Sequence, residues 1–144
     1  MDNLKKLKIF IVDDEILYLN IFEQYIRNLG YTNITTFQDG VECINNLNEN
    51  PDVVFLDYNM EPLTGYEILK KIKRHNPNIY VVMISGQNEI KPAIDSLKYG
   101  AFDYIEKGIH EAQKIDSVFD RIHSVNDALE RSKPGFLKTL FQFL

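Results

Sequence analysis

This 144-residue chain carries a single cysteine, Cys43, which excludes an internal disulfide framework and suits a reducing compartment. Cys43 falls in a helical stretch, where it serves as a small apolar filler rather than a reactive thiol. Basic charge is also scarce. Its 16 Lys and Arg stand against 21 Asp and Glu, a formal charge of −5, so no basic field attracts phosphates and general nucleic-acid affinity is excluded. No apolar stretch long enough for a signal peptide or a membrane span follows Lys5, Lys6 and Lys8, and the expected location is cytoplasmic. Glycine-rich phosphate loops of the mononucleotide or dinucleotide type are missing. His75, His110 and His123 lack metal-ligand spacing. The chain is nevertheless long enough to bury a real core as one domain without such staples.

What is present is alternation: strand-like apolar runs and amphipathic stretches follow one another five times. Ile9-Phe10-Ile11-Val12 and Val53-Val54-Phe55-Leu56 are continuous runs, the pattern of strands buried on both faces of a parallel sheet. Further strands are predicted over residues 33–37, 79–84 and 101–105. A helix over 15–29 places Leu17, Ile21 and Tyr25, with Phe22 and Ile26, at helical spacing and stops at Gly30. Another covers 40–48, and a third carries Ile68, Leu69 and Ile72 on one face before Asn76-Pro77. Pro92 is tolerated only in a first turn, which sets the fourth helix at 91–99. A long fifth, over 109–131, keeps Ile115, Val118, Phe119, Ile122, Val125 and Leu129 in helical period. Such βαβ units imply a parallel sheet, and right-handed crossovers favour the order 2-1-3-4-5. The expected fold is therefore α/β: a doubly wound five-stranded parallel sheet with five flanking helices over residues 1–131, then a short apolar tail over 132–144.

Acids close both continuous runs, Asp13 and Asp14 the first and Asp57 the other. In open α/β sheets ligands sit beyond the carboxyl ends of the strands, so these acids converge on one crevice. Gathered like charges raise one another's pKa unless a cation lies between them. A hard divalent cation with oxygen ligands, Mg2+ first among them, resolves the repulsion. A carboxylate so placed can attack a phosphoryl group and form an acyl phosphate. That transfer asks for positioning and charge neutralisation more than for proton chemistry. Lys107, past the fifth strand, offers a fixed cation, and Ser85 ends the fourth strand with a hydroxyl. Gly86 lets backbone N–H groups approach an oxyanion. Taken alone each has a plainer explanation: a helix cap for Asp14, a turn for Asp57 and Ser85, a solvated charge for Lys107. Their joint placement at strand ends of one short domain outweighs those explanations.

The ordered set Asp13-Asp14, Asp57 with Asn59-Met60 and Gly65 beyond it, Ser85-Gly86, Tyr104 and Lys107 resembles the receiver domain of bacterial two-component response regulators, a flavodoxin-like fold. The resemblance implies a phosphoacceptor switch in which Asp57 takes a phosphoryl group from a sensor histidine kinase or a histidine phosphotransfer protein. It implies that Asp14, Asp57 and the backbone carbonyl of Asn59 ligate Mg2+, with Asp13 acting through water, and that Ser85 and Lys107 hold the phosphoryl oxygens. It further implies that Ser85 and an inward turn of Tyr104 remodel the face of the fourth helix, fifth strand and fifth helix, a population shift driven by differential contacts. Asn59 and Gln87, flanking the site, are the expected tuners of acyl-phosphate lifetime. No enzyme in the ordinary sense is implied, only self-catalysed phosphotransfer and autodephosphorylation.

Two departures from that family stand out. Gly108 follows Lys107 where the family usually has a proline, often cis; a cis non-proline bond costs about 2.5–4 kcal/mol, so a trans, freer loop is expected. Glu61-Pro62 replaces a proline directly after Met60. A phosphatase of the haloacid-dehalogenase type would need a second acid two residues after its nucleophile, where Asn59 stands. The stronger competitor is a phosphate-independent interaction module with a receiver fold, against which the intact Asp13, Asp14, Asp57, Ser85 and Lys107 argue. No effector domain is expected after the receiver, which points to an unidentified downstream protein rather than direct nucleic-acid contact, or to a piece of a longer chain. Phe136, Leu137, Leu140, Phe141 and Leu144 make a one-sided apolar stripe. It would fold back, join a homodimer with the last helix, or meet a partner groove or membrane surface, and it is too short to span a bilayer.

Overall fold

The computed structural model describes residues 6–86 and 90–135. Its elements run β1 (Ile9–Val12), α1 (Ile16–Asn28), β2 (Ile34–Phe37), α2 (Gly40–Asn45), β3 (Val53–Asp57), α3 (Gly65–His75), β4 (Tyr80–Ser85), α4 (Ile90–Lys98), β5 (Asp103–Glu106) and α5 (Glu111–Ser132). The sheet is parallel throughout, in the order β2-β1-β3-β4-β5, as the alternation predicts. β1 and β3 are buried along their whole length. The edge strands β2 and β5 bury only Phe37 and Ile105, which is why their runs carry polar residues between the apolar ones.

Successive side chains of a strand point to opposite faces, and this splits the core into two layers. Ile9 and Ile11, with Val53 and Phe55, pack on Leu19, Phe22 and Ile26 of α1 and on Ile115, Val118, Phe119 and Ile122 of α5. Phe10, Val12, Val54 and Leu56 face the other way, onto Cys43 and onto Ile68, Leu69 and Ile72 of α3. Cys43 is fully buried, and burial pushes its thiol up to about 12; it is filler, as expected.

The differences from expectation are local. α1 turns Leu19, Phe22 and Ile26 inward and leaves Leu17 64% exposed. Leu17 lies two positions from Leu19, about 200° round a helix with 3.6 residues per turn, so it cannot share that stripe. The helix expected over 40–48 breaks after Asn45 and resumes as a 3-10 turn, Leu47–Glu49. β5 begins at Asp103 rather than 101: Ala101 N–H still donates to Ser96 O in the turn out of α4, and Phe102 N–H, donating to Val81 O of β4, leads into the strand. α5 begins at Glu111, after Gly108 and His110 in left-handed backbone (φ +86 and +49). The Lys107–Gly108 bond is not among the cis peptides, whereas Glu61–Pro62 is cis. α5 overruns the sheet, so Val125 and Leu129 keep the helical period but stay exposed. Gln87 and the apolar stripe over 136–144 lie outside the described residues.

Candidate functional site

Four strand ends build the site. β3 delivers Asp57, 2% exposed, and the residue after β1 is Asp13, 1% exposed; Asp14, next along, is solvent-facing. Carboxylate oxygens of Asp13, Asp14 and Asp57 all lie within 4.8 Å of one another. Lys107 follows β5, and its Nζ is 3.1 Å from Asp57 Oδ1 and 3.2 Å from Asp13 Oδ2. Backbone bonds lock these residues to the sheet: Asp13 N–H donates to Phe37 O (3.0 Å), Tyr58 N–H to Ile84 O (2.8 Å) and Lys107 N–H to Ser85 O (2.8 Å). Asp13 Oδ1 accepts from Glu15 N–H at 2.9 Å, where the chain turns into α1. Asp13 Oδ2 is buried without a hydrogen bond, so its closeness to Lys107 is an ion pair by distance but not a directed bond.

The electrostatics follow from that crowding. Burial, and then the neighbouring Asp13, push the Asp57 carboxyl up to about 7, with Lys107 pulling the other way. Burial raises Asp13 as well, opposed by the Glu15 N–H and by Lys107. Burial would lower Lys107, but Asp57 and Asp13 together outweigh it and hold the ammonium above its ordinary value. Three carboxylates around one lysine leave excess negative charge in a confined space. The donor set is all oxygen, with one buried carboxylate oxygen lacking a hydrogen bond, which fits a small hard cation such as Mg2+.

Of the remaining predicted residues, Asn59 and Ser85 are described at the same end and Tyr104 on β5 beside it. Glu15, Tyr18, Asp57, Asn59, Gly86, Lys107 and Gly108 line a cavity of about 440 Å3. Ser85 is 2% exposed at the end of β4, and a Cβ on Gly86 would meet nothing within 4 Å, so open space remains above that strand end. Tyr104 on β5 is half-buried, its ring edging the core layer under α3. Gly65 is required by packing: a Cβ there would stand 2.5 Å from Asp57 O and 2.7 Å from Tyr58 Cα. α3 therefore presses its first turn, capped by the reciprocal Thr64–Glu67 box, directly against the Asp57 loop. Sequence reasoning missed Tyr18, whose ring centroid is 4.0 Å from Lys107 Nζ. An aromatic on an amphipathic helix reads as core, and no local signal distinguishes it.

The sequence profile of the response regulator receiver domain matches residues 9–119. The chain belongs to this family. Among its relatives, it is 32% identical over 104 residues to the transcriptional regulatory protein ZraR of Klebsiella oxytoca, covering 72% of this chain and 23% of that one. It is 31% identical over 100 residues to the DNA-binding transcriptional regulator NtrC of Escherichia coli K12, covering 69% of this chain and 21% of that one. The matched part thus spans about a quarter or less of these two relatives. The fold superposes on a receiver domain protein from Clostridium thermocellum with a TM-score of 0.78 at 28% identity, over 85% of this chain and 98% of that one. It superposes on NtrX from Brucella abortus with a TM-score of 0.79 at 28% identity, over 89% of this chain and 30% of that one. The receiver is a two-component signalling domain rather than a conventional enzyme. Among the described residues, no helix is long and apolar enough to cross a membrane.

Proposed function

We propose that this receiver is a cytoplasmic phosphoacceptor switch whose acceptor is Asp57. The donor would be a phosphohistidine on a sensor histidine kinase or a histidine phosphotransfer protein. An Asp57 carboxylate oxygen attacks phosphorus and the P–N bond to the imidazole breaks. The bonding pair stays on the departing nitrogen, and an acyl phosphate remains on β3. The observation that carries this reading is the buried Asp57 carboxylate, 3.1 Å from the Lys107 ammonium and grouped with Asp13 and Asp14.

Asp14, Asp57 and the Asn59 carbonyl would hold Mg2+, with Asp13 acting through water. Bound there, the ion neutralises charge on the phosphoryl oxygens. Lys107 remains as the fixed cation for a further phosphoryl oxygen, and the Ser85 hydroxyl, on the neighbouring strand, donates to another. Moving Ser85 toward the phosphoryl group vacates space beside β4, into which the half-buried Tyr104 turns; the inward state gains only by its differential contacts. Asn59 borders the cavity and would modulate water attack on the acyl phosphate, a role the sequence also suggests for Gln87. The downstream partner would read the face around Tyr104.

The test is intact mass after incubation with acetyl phosphate and Mg2+, wild type beside Asp57→Asn. One added phosphoryl group in the wild type alone is the expected result. Equal uptake by Asp57→Asn would reassign the acceptor.

A further inference from the structure

Lys107 is a flexible four-carbon stem carrying a point charge, and the chain after it turns through Gly108 at φ +86. Its backbone is tied down by the Lys107 N–H bond to Ser85 O at 2.8 Å. Its head group needs a separate restraint, because two carboxylates compete for it at nearly equal distance. That restraint comes from α1: the Tyr18 ring centroid lies 4.0 Å from Lys107 Nζ, inside the range of cation–π attraction. The ring is itself held. Tyr18 packs against the core layer under α1, with its centroid 6.5 Å from that of Phe22, which is 1% exposed. Tyr18 and Lys107 also share the wall of the cavity beside Asp57.

We infer that Tyr18 is a positioning residue for phosphoryl transfer, its ring face holding the Lys107 ammonium over the cavity as the charge on Asp57 changes. The inference rests on the proposed function. Three kinds of side chain could stand at this position, and they would act differently. A carboxylate would bind the ammonium as a salt bridge and withhold it from the phosphoryl oxygens. An aliphatic side chain would pack but attract nothing. An aromatic face attracts the cation without using up its N–H donors, so Lys107 stays restrained and its hydrogen bonds remain available to the incoming group. When Asp57 becomes an acyl phosphate, its carboxylate charge is replaced by phosphoryl charge further out. The ring contact survives that exchange, whereas the contacts to Asp57 and Asp13 must rearrange.

The experiment is a double-mutant cycle on the rate of phosphorylation by acetyl phosphate and Mg2+, with NMR of the Lys107 methylene protons beside it. In the wild type those protons should be shifted upfield by the Tyr18 ring current. Tyr18→Leu should abolish that shift and slow phosphorylation about five- to thirty-fold, the span of a partly to fully desolvated cation–π contact. Tyr18→Phe, which keeps the ring, should recover most of the rate and the shift. In a Lys107→Ala background, Tyr18→Leu should change the rate less than about two-fold, since the group it acts through is gone. Tyr18→Leu at the wild-type rate, an equal loss with and without Lys107, or an unshifted Lys107 each overturns the inference. A wild type that gains no phosphoryl group defeats the functional reading, and with it this role for Tyr18. A wild type that gains one while Tyr18→Leu is indifferent defeats the inference alone.

Discussion

Lys107 Nζ stands 3.1 Å from Asp57 Oδ1 and is shared with Asp13 Oδ2 at 3.2 Å, so one ammonium serves two buried carboxylates. With Asp14 at the mouth, the site is under-neutralised by construction. The fold tolerates this because backbone bonds, rather than the charges, hold the strand ends together.

Without metal, the stability of the receiver should depend on pH. Asp57 titrates at about 7 in the folded receiver against an ordinary 3.8, with burial the main cause and Asp13 next. Between roughly pH 4 and 7 the folded state therefore keeps a proton that the unfolded state has released, and stability must fall as pH rises through that window. Asp13 is raised too and acts in the same direction. Lys107, raised above its ordinary 10.5, contributes stability that is fully present across this range and is lost only at more alkaline pH. The full Asp57 effect is on the order of 4 kcal/mol, since each tenfold change in proton affinity is worth about 1.36 kcal/mol. Urea unfolding in chelator should show lower stability at pH 8 than at pH 5.5, with Mg2+ recovering it at pH 8. Stability that climbs across the same interval would contradict the assignment.

Asp57→Asn removes a buried charge while keeping the shape of the side chain. In chelator at pH 8 it should be more stable than the wild type by roughly 1–3 kcal/mol, and its pH slope between 5.5 and 8 should flatten. The same variant should lose phosphoryl uptake. Gain of stability with loss of function is what separates a functional carboxylate from a structural one, and thermal unfolding of the two proteins in parallel reads it directly.

Asp14 divides metal binding from folding differently. It is exposed, so Asp14→Ala should change stability by less than about 0.5 kcal/mol, yet weaken Mg2+ binding by about ten-fold or more. Calorimetric titration with Mg2+ measures this. Undiminished affinity would take Asp14 out of the ligand set.

How much of this was legible in the chain depends on where the physics is local. β1 and β3 announced themselves because a strand buried on both faces must be apolar at every position, and a charge directly after such a run can only mark its end. Asp13 and Asp57 were readable for that reason; Ser85, an uncharged residue closing β4, and Lys107, after a strand that buries only Ile105, were readable only through their placement at strand ends beside those acids. The inward face of α1 was not. Ile16, Leu17, Leu19, Ile21 and Phe22 are apolar almost all the way round, and only packing against β1 and α5 selects Leu19 over Leu17. The contact of Tyr18 with Lys107 is likewise invisible to any local pattern, since it depends on how α1 is rotated against the end of β5.

Gly65 shows the same limit from the other side. In sequence it looks like a loop residue; in the fold a Cβ there would collide with Asp57 O and Tyr58 Cα, both backbone atoms that cannot swing aside. Gly65→Ala should cost about 1–3 kcal/mol or more through overpacking. Because the displaced atoms belong to the Asp57 loop, it should also slow phosphorylation and weaken Mg2+ binding. A variant that loses stability while keeping wild-type Mg2+ affinity would mean that α3 can back away without moving the site.

Lys107→Ala tests whether the lysine is a structural counter-ion, a phosphoryl ligand or both. Removing one partner of a buried ion pair costs about 3–5 kcal/mol when the other charge stays ionised. Here Asp57 can take up a proton instead, so the loss should be small at pH 5.5 and grow toward pH 8 in the metal-free protein. Mg2+ affinity should be at least retained, since the cation competing for Asp57 and Asp13 is gone. Phosphorylation should still occur, but the chemical shifts of Tyr104 on β5 should no longer respond to it, because the oxygen that Lys107 would hold is left without its strand-end anchor. A Tyr104 response equal to that of the wild type would assign the transmission to Ser85 alone and leave Lys107 with charge balance as its whole role.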